Sequence, residues 1–258
     1  MQTAIGYLSV VPLRADPDHR SEQVSQILFG DMVQVLEPGP EWSRVRCTWD
    51  GYEGWCRTSQ VQVLEAPAEL PPARYLVAGK TQYVVHEQWS FPVSMGSPLP
   101  GYDAHALNWG NKQFRYFEPL HDLEQVQVTD TVIAMLAYSF LDVPYLWGGR
   151  SVWGIDCSGM SQMVFKMMGI SILRDAWQQA GQGQKVAEAA EARCGDLAFF
   201  HNASGRINHV GILLNHNTII HATDTAGRVV VDQLDAQGII SNRTGGRTHP
   251  LTGIQRYF

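Results

Sequence analysis

The sequence predicts an α+β chain in which two small all-β units precede a domain of helices followed by an antiparallel sheet. Three observations support this prediction: apolar residues at period two over the first half, a change to helical spacing near residue 125, and four strand candidates in close succession from residue 195. Of the 258 residues, 45% are hydrophobic and 17% are charged, so the chain can bury a core in one large domain or in two or three small ones.

Residues 1–66 alternate in the way of short strands. The run QILFGDMVQVLE is followed by EWSRVRCTWDGYEGWCRTSQVQVL, and the turn residues of EPGPE and WDGY interrupt the alternation. This pattern predicts paired antiparallel strands. The order FGD, VQVLE, WSRVR and GYEGW resembles that of bacterial SH3-like barrels, in which the Gly-Trp pair of the last hairpin closes a small core. Residues 1–66 are therefore assigned to a first SH3-like barrel.

Residues 67–124 are assigned to a second, less regular SH3-like barrel. The proline-rich run EAPAELPPAR, residues 65–74, is typical of a linker. The segments YLVAG, QYVVHE and FRYFEPL predict short strands. In contrast, SFPVSMGSPLPGYDAHALNWGNKQ contains many Pro, Gly and Asn residues, so we expect no regular structure there.

Residues 125–258 are assigned to one α+β domain. TDTVIAMLAYSFLDV has a Thr/Asp start signal and helical spacing, which predicts a helix that ends before Pro144. CSGMSQMVFKMMG predicts a second helix that stops at Gly169. GDLAFFH, NHVGILL, NTIIHATD and RVVVDQL predict four strands, the second and third joined by a short turn at residues 215–217.

Charge and cysteine usage exclude several classes of function. The net charge is −6 and no run of lysine or arginine occurs, which argues against nucleic acid or an anionic membrane as a partner. The N-terminus has neither the basic nor the apolar region of a secretory signal, so we expect a cytoplasmic protein if Met1 is the native start. The cysteines form no CxxC pair, and we expect free buried thiols rather than a Cys47–Cys56 disulfide.

A candidate nucleophile lies in the run YLWGGRSVWGIDCSGM. Asp156 is a good N-cap residue, so Cys157 is expected in the first turn of the following helix, where the helix N-terminus lowers a thiol pKa. A cysteine nucleophile needs a base and a group that orients the base. His209 and His221 lie on the two strands of a predicted hairpin, which brings their side chains near each other.

These motifs, in this order, strongly resemble the NlpC-type bacterial cell-wall cysteine peptidases. YLWGG, GIDCSG, LRD, GDLAFFH, NHVGILL and IIHA carry the resemblance over residues 125–258. The resemblance implies a papain-like fold and a γ-D-glutamyl-L-diamino acid endopeptidase without a cofactor or metal. With SH3-like modules in front, the chain is most similar to the YkfC-like subgroup, which is implicated in recycling wall peptides.

The resemblance implies a role for each matching residue near the nucleophile. Cys157 is the nucleophile, His209 the general base, and His221 the residue that orients the base. Tyr145 stabilises the oxyanion together with the backbone N–H of Cys157. Trp147 lines the substrate groove.

Further residues are expected to bind the substrate, a murein peptide such as L-Ala-γ-D-Glu-L-diamino acid. Asp156 and Ser158 would bind the amino group and backbone of the N-terminal L-Ala. Asp175 falls where the subgroup has an acidic substrate-binding residue, but Ala176 replaces the serine that often follows, so one polar contact is missing or replaced.

The first SH3-like barrel of the subgroup supplies an acidic and an aromatic residue to the free amine of the substrate. Glu22 and Tyr52 are the candidates in this sequence. Together with Asp156, Glu22 would favour a protonated N-terminal amine and therefore a peptide already released from the wall.

Three alternatives stay open at this point. Cys157, His209 and His221 have donor atoms that zinc also accepts. The same fold carries amidases and acyltransferases, so the reaction class is not settled by the motifs. A non-enzymatic module that binds wall peptides is the third alternative, although an intact set of cysteine and two histidines argues against it.

Overall fold

The computed structural model describes residues 2–65 and 70–258, which form two compact units. The N-terminal unit comprises the described residues up to Val126 together with Trp147–Trp153, and the C-terminal unit comprises Gln127–Leu146 and Gly154–Phe258. Residues 66–69 of the expected linker lie outside the described residues, as does the expected boundary between residues 66 and 67. The division into three domains stays a prediction.

The first part of the N-terminal unit is an antiparallel sheet of seven strands in the order β3-β2-β6-β5-β4-β1-β7. Its strands are β1 Gln2–Gly6, β2 Val10–Arg14, β3 Gln23–Leu28, β4 Met32–Glu37, β5 Trp42–Cys47, β6 Glu53–Arg57 and β7 Val61–Leu64. As the period-two pattern predicts, alternate apolar residues are buried: Val33 and Val35 of β4 and Val45 of β5 lie in one core. Cys47 and Cys56 are both free buried thiols.

The second part of the N-terminal unit contains two smaller sheets, ordered β10-β9-β12-β11 and β13-β8. The strands are β8 Tyr75–Val77, β9 Thr81–His86, β10 Trp89–Ser94, β11 Ala106–Trp109, β12 Lys112–Arg115 and β13 Leu120–Asp122. The expectation of no regular structure after residue 89 is wrong for β10 and β11, since pairing with β9 and β12 overrides their composition. Pro92 is tolerated because β10 is an edge strand.

Both parts of the N-terminal unit share one aromatic core. The ring of Phe29, from the first part, lies 4.6 Å from the Trp109 ring and 5.2 Å from the Phe114 ring, with an edge-to-face arrangement to Phe114. Phe29 and Trp109 are fully buried. Aromatic pairs at such distances add to the stabilisation that burial provides.

The C-terminal unit begins with helices. Helix α1, Asp130–Tyr138, starts as predicted, with Thr129 accepting the backbone N–H of Val132. Strand β14, Arg150–Ser151, follows α1 in the sequence but lies in the N-terminal unit. The C-terminal unit then continues with β15 Gly154–Ile155, α2 Cys157–Met167 and α3 Ala176–Gln179. Helix α2 is buried along its whole length, and the chain leaves it through Gly169 at φ 76°.

The remainder of the C-terminal unit is a seven-stranded antiparallel sheet in the order β16-β22-β17-β18-β19-β20-β21. Its strands are β16 Gln184–Lys185, β17 Leu197–His201, β18 Ile207–Asn215, β19 Thr218–Thr223, β20 Arg228–Asp235, β21 Gly238–Ile240 and β22 Arg247–Arg256. The four predicted strands are confirmed as β17 to β20. A further pairing joins the edge strand β21 to β22.

The helices in the described ranges include none with both the length and the apolar character needed to cross a bilayer.

Removing the aromatic ring at the centre of the N-terminal core should destabilise that unit. For Phe29→Ala, we expect the free energy of unfolding in urea to fall by about 3–5 kcal/mol, because a fully buried ring leaves a cavity. Tyr83→Ala is the control, since Tyr83 is 50% exposed in the same unit and should change stability by no more than about 0.5 kcal/mol. Equal losses in the two variants would contradict this account of the core.

Candidate active site

The start of helix α2 presents Cys157 as its first residue. Asp156 is the N-cap, and its Oδ1 accepts the backbone N–H of Gly159 at 2.7 Å, as the sequence predicts. Cys157 is 6% exposed as a residue, and its Sγ lies 4.0 Å from the carbonyl oxygen of Asn208 in β18. The thiol therefore lies against the strand segment that carries His209, a placement that no sequence pattern establishes.

The two predicted histidines meet on the β18–β19 hairpin. The Nε2 atom of His209 lies 2.8 Å from Nδ1 of His221, and both side chains are buried. This confirms the expectation that the hairpin brings them together. The hydrogen bond links the two rings edge to face, with their planes at 80°.

Asp232 on β20 extends this pair, and the sequence-based reasoning missed it. Its Oδ2 lies 3.2 Å from Nε2 of His221, while Oδ1 accepts the backbone N–H of Asn242 at 2.7 Å. A signal was present in the sequence: Asp232 lies on the same face of the strand as Val230 and Leu234, where an apolar residue is expected.

The hydrogen-bond chain determines which ring nitrogens carry protons. An ionised carboxylate only accepts hydrogen bonds, so Nε2 of His221 must carry a proton and donate it to Asp232. When the His221 ring carries only this proton, its Nδ1 has a free electron pair, which accepts the proton on Nε2 of His209. Consequently Nδ1 of neutral His209 is unprotonated and can act as a base.

The surroundings of the site favour a neutral His209 ring and an ionised Asp232 carboxylate. Burial, followed by the neighbouring His221 and His249, holds the pKa of His209 well below its ordinary value. Burial on its own would raise the pKa of Asp232, but hydrogen bonds from His221 and from the Asn242 backbone lower it overall. Asp232 is therefore ionised and the His209 ring is neutral at neutral pH.

The thiol of Cys157 is also neutral in the resting state. Burial, and then the charge of Asp156, raise the pKa of Cys157 to about 12. The backbone N–H groups of Val210 and Ser158 and the cation of Arg174 oppose this effect but do not outweigh it. The expectation of a thiol pKa lowered by the helix N-terminus is therefore wrong, because desolvation of the thiolate exceeds the favourable helix field.

A buried ion pair fixes the two residues that flank the nucleophile. Arg174 is 1% exposed and its Nη2 lies 2.7 Å from Oδ2 of Asp156. Its Nη1 donates to Oδ1 of Asp156 at 3.0 Å and to Oγ of Ser158 at 2.8 Å. Sequence reasoning used the LRD motif only for Asp175 and missed Arg174. The arginine balances the Asp156 charge, so that carboxylate is not a free anion.

Cys157 and Asp156 both influence the ionisation of the Tyr145 phenol. Its pKa is raised by burial first, and then by the charges of Cys157 and Asp156. The hydroxyl therefore stays protonated at neutral pH and can donate a hydrogen bond. The backbone of Tyr145 forms a parallel bridge with Ile155, two residues before the nucleophile.

Asp175 has a structural role at the start of α3. It forms a capping box with Gln178, whose side-chain Oε1 accepts the backbone N–H of Asp175 at 3.0 Å. Ala176, which replaces the expected serine, is 7% exposed.

Trp147 and Glu22 lie together in the N-terminal unit. The indole Nε1 of Trp147 donates to Oε1 of Glu22 at 2.6 Å, and Gln23 Nε2 donates to the Trp147 carbonyl at 3.1 Å. Gly148 permits this approach, since a Cβ there would lie 2.3 Å from the Gln23 carbonyl oxygen. Tyr52 lies in the β5–β6 turn, where its backbone N–H donates to Asp50 at 3.0 Å.

Within residues 2–65 and 70–258, no group of three or more His, Cys, Asp or Glu side chains has the arrangement of a metal site. The Nε2 atom of His209 is engaged by His221, and the second nitrogen of His221 is engaged by Asp232. The geometry fits a proton relay better than the zinc alternative.

Comparisons with known proteins identify two family models and several relatives that match this chain. Residues 142–248 match the NlpC/P60 family, and residues 13–61 match the bacterial dipeptidyl-peptidase Sh3 domain. The chain is 29% identical over 223 residues to a gamma-D-glutamyl-L-lysine dipeptidyl-peptidase of Bacillus subtilis (strain 168), covering 80% of this chain and 74% of that protein. It is 29% identical over 258 residues to dipeptidyl-peptidase 6 of Lysinibacillus sphaericus, covering 91% of this chain and 92% of that protein.

A solved structure has the same fold over nearly the whole length. The crystal structure of an NlpC/P60 family protein from Bacillus cereus ATCC 10987 superimposes with a TM-score of 0.82, at 22% identity and 99% coverage of both chains. The predicted fold class is confirmed as α+β, with a papain-like domain preceded by a sheet-rich region that contains an SH3-like domain. The second SH3-like barrel, predicted over residues 67–124, stays a prediction. The chain is therefore a cysteine peptidase with an NlpC/P60 domain and a bacterial dipeptidyl-peptidase SH3 domain.

Proposed function

We propose that this peptidase hydrolyses the bond between γ-D-Glu and the following L-diamino acid in murein peptides, with Cys157 as the nucleophile. The observation that carries the proposal is the relay of His209, His221 and Asp232 next to the strand segment against which the thiol lies. The substrate class is supported by the relatives from Bacillus subtilis and Bacillus cereus that are named gamma-D-glutamyl-L-lysine dipeptidyl-peptidases.

In the proposed mechanism, the reaction starts from a neutral thiol and a neutral imidazole. Nδ1 of His209 accepts the Cys157 proton as Sγ attacks the scissile carbonyl carbon. The Tyr145 hydroxyl and the Cys157 backbone N–H donate hydrogen bonds to the oxyanion that develops. The tetrahedral intermediate then collapses to an acyl-enzyme, and the proton on His209 passes to the leaving amine.

Deacylation uses the same groups in reverse order. His209 accepts a proton from water as the water oxygen attacks the thioester carbon, and the proton then returns to Sγ when the C–S bond breaks. His221 and Asp232 stabilise the imidazolium form of His209 in both halves of the cycle, because the acceptor chain ends in a carboxylate.

We propose that the substrate carries a free N-terminal L-Ala, as expected for a peptide already released from the wall. Glu22 and Asp156 are the candidate carboxylates for the protonated amine. Trp147 contributes a neutral donor to Glu22, whereas Arg174 contributes a cation that balances Asp156. Asp156, Ser158, Trp147, Asp175 and Tyr52 remain candidates for contacts with the rest of the dipeptide. A role in wall-peptide recycling in the cytoplasm fits this preference and stays a prediction.

Blocking the substrate amine should weaken cleavage. We expect the kcat/KM for L-Ala-γ-D-Glu-L-Lys to exceed that for its N-acetylated form by roughly ten- to a hundredfold, the effect of losing a charge-assisted hydrogen bond. Products are followed by mass spectrometry. Cys157→Ala should abolish cleavage, while Cys194→Ala, which removes another buried thiol, should not. Equal turnover of both peptides would overturn the free-amine preference, and turnover of neither would overturn the proposed activity.

Changing the end of the relay should slow the reaction with little effect on folding. An amide at position 232 can donate a hydrogen bond, so Asp232→Asn permits the wrong tautomer of His221; we expect kcat to fall on the order of tenfold to a thousandfold. Asp235→Asn is the matched control in the same strand, where the carboxylate pairs with Arg247 at the surface. A kcat for Asp232→Asn within twofold of that for Asp235→Asn would contradict the relay.

The pH dependence of the enzyme should reflect the depressed pKa of His209. Because His209 must be neutral to accept the thiol proton, activity is lost as the pH falls through its pKa. The acid limb of kcat/KM should therefore lie below about pH 6.5, the ordinary value of histidine. The measurement is a pH profile of kcat/KM in buffers of constant ionic strength, and an acid limb at or above that value would contradict the proposed environment.

A further inference from the structure

A third histidine lies at the site and has no role in the mechanism described above. The ring of His249, on β22, stacks on that of His209 with centroids 4.1 Å apart and planes inclined at 22°. The His249 ring is 5.9 Å from the His221 ring, and its Nδ1 lies 2.9 Å from Oγ1 of Thr248. Neither the expected triad nor the sequence motifs include this residue.

The strand pairing of the sheet brings His249 to this position. Ile239 of β21 pairs with His249 of β22, and the preceding residue on β21 is Gly238 at φ 134°. A Cβ on Gly238 would lie 1.9 Å from the His249 carbonyl oxygen, so only glycine allows β22 to approach this closely. Phe200 of β17 lies 5.7 Å from the His209 ring and 6.1 Å from the His249 ring, and it completes the cluster.

The stack restrains a degree of freedom that the relay leaves open. The hydrogen bond from His209 Nε2 to His221 fixes one edge of the ring but does not by itself prevent the ring from tilting about that edge. We propose that His249 is a positioning residue for His209: its stacked imidazole holds the His209 plane, so that the free electron pair on Nδ1 keeps one direction. This inference rests on the proposed role of His209 as the base.

The electrostatic surroundings keep His249 neutral while it does so. The titratable groups that face it are His209 on β18, His221 on β19, Asp232 on β20, and Asp224 in the turn after β19. Burial, and then His221, lower the pKa of His249 to about 4, against the opposite influence of Asp224 and Asp232. At neutral pH, the imidazolium that forms on His209 therefore faces a polarisable neutral ring and not a second cation.

Two substitutions separate stacking from mere space filling. His249→Phe keeps an aromatic ring that can stack, whereas His249→Gln keeps a polar planar group without the ring. We expect kcat on L-Ala-γ-D-Glu-L-Lys to fall by about ten- to a hundredfold in His249→Gln, the effect of misplacing a catalytic group, with KM nearly unchanged. His249→Phe should restore kcat to within about threefold of the unsubstituted enzyme. His216→Gln, at an exposed turn, is the control and should leave kcat unchanged.

A second readout needs no substrate and distinguishes failure of this inference from failure of the proposed function. The imidazole nitrogens of His209 are titrated by long-range ¹H–¹⁵N NMR in the full chain. In His249→Gln, the His209 pKa should rise by roughly one pH unit towards its ordinary value as the ring becomes more solvated.

The kcat values of the two variants and the His209 titration together test the positioning role of His249. Equal loss of kcat in His249→Phe and His249→Gln, or no loss in either, would overturn the positioning role. An unchanged His209 titration in His249→Gln would also overturn it, whether or not the peptide is a substrate. If the unsubstituted enzyme does not cleave the peptide but the His209 titration shifts as expected, the proposed function fails and the positioning of His209 by His249 stands.

Discussion

The ionised carboxylate of Asp232 can only accept hydrogen bonds, and the protonation of the whole histidine pair depends on that restriction. It places a proton on Nε2 of His221, which in turn leaves Nδ1 of His221 as an acceptor for His209. The base is thereby presented with its free electron pair on Nδ1. If the hydrogen bond between Asp232 and His221 were reversed, the one between His221 and His209 would be reversed as well. Asp232 therefore controls the protonation of His209 from the far end of the hydrogen-bonded series.

Burial keeps both the thiol and the base neutral in the resting enzyme. A helix N-terminus favours a thiolate, yet Cys157 is almost fully buried beside the Asp156 carboxylate, and the cost of desolvating the thiolate is larger. Burial equally disfavours the imidazolium form of His209. Both groups are therefore neutral at rest, and charge separation occurs only as a bond forms to the substrate. Arg174 contributes by balancing the charge of Asp156 and fixing the residues on both sides of the nucleophile.

Local sequence patterns predicted the elements whose signal is contained within a few residues. The apolar runs of β17 to β20, the Thr129 and Asp156 caps, and the stop at Gly169 all have this property. Strands β10 and β11 were not predicted because their regularity comes from pairing with β9 and β12, which overrides a composition rich in Pro, Gly and Asn. Strand β22 likewise depends on long-range pairing, with β17 and with β21.

The sequence by itself determined the positions of the chemical groups: a cysteine directly after a helix cap, and two histidines on one hairpin. Only the tertiary structure decided which partners they have. Asp232 reaches His221 and His249 reaches His209 through strand pairing, and Arg174 reaches Asp156 from the segment between α2 and α3. The signs of the pKa shifts at Cys157 and His209 were also decided there. Desolvation depends on how much of the folded chain surrounds a group, and no short run of residues contains that information.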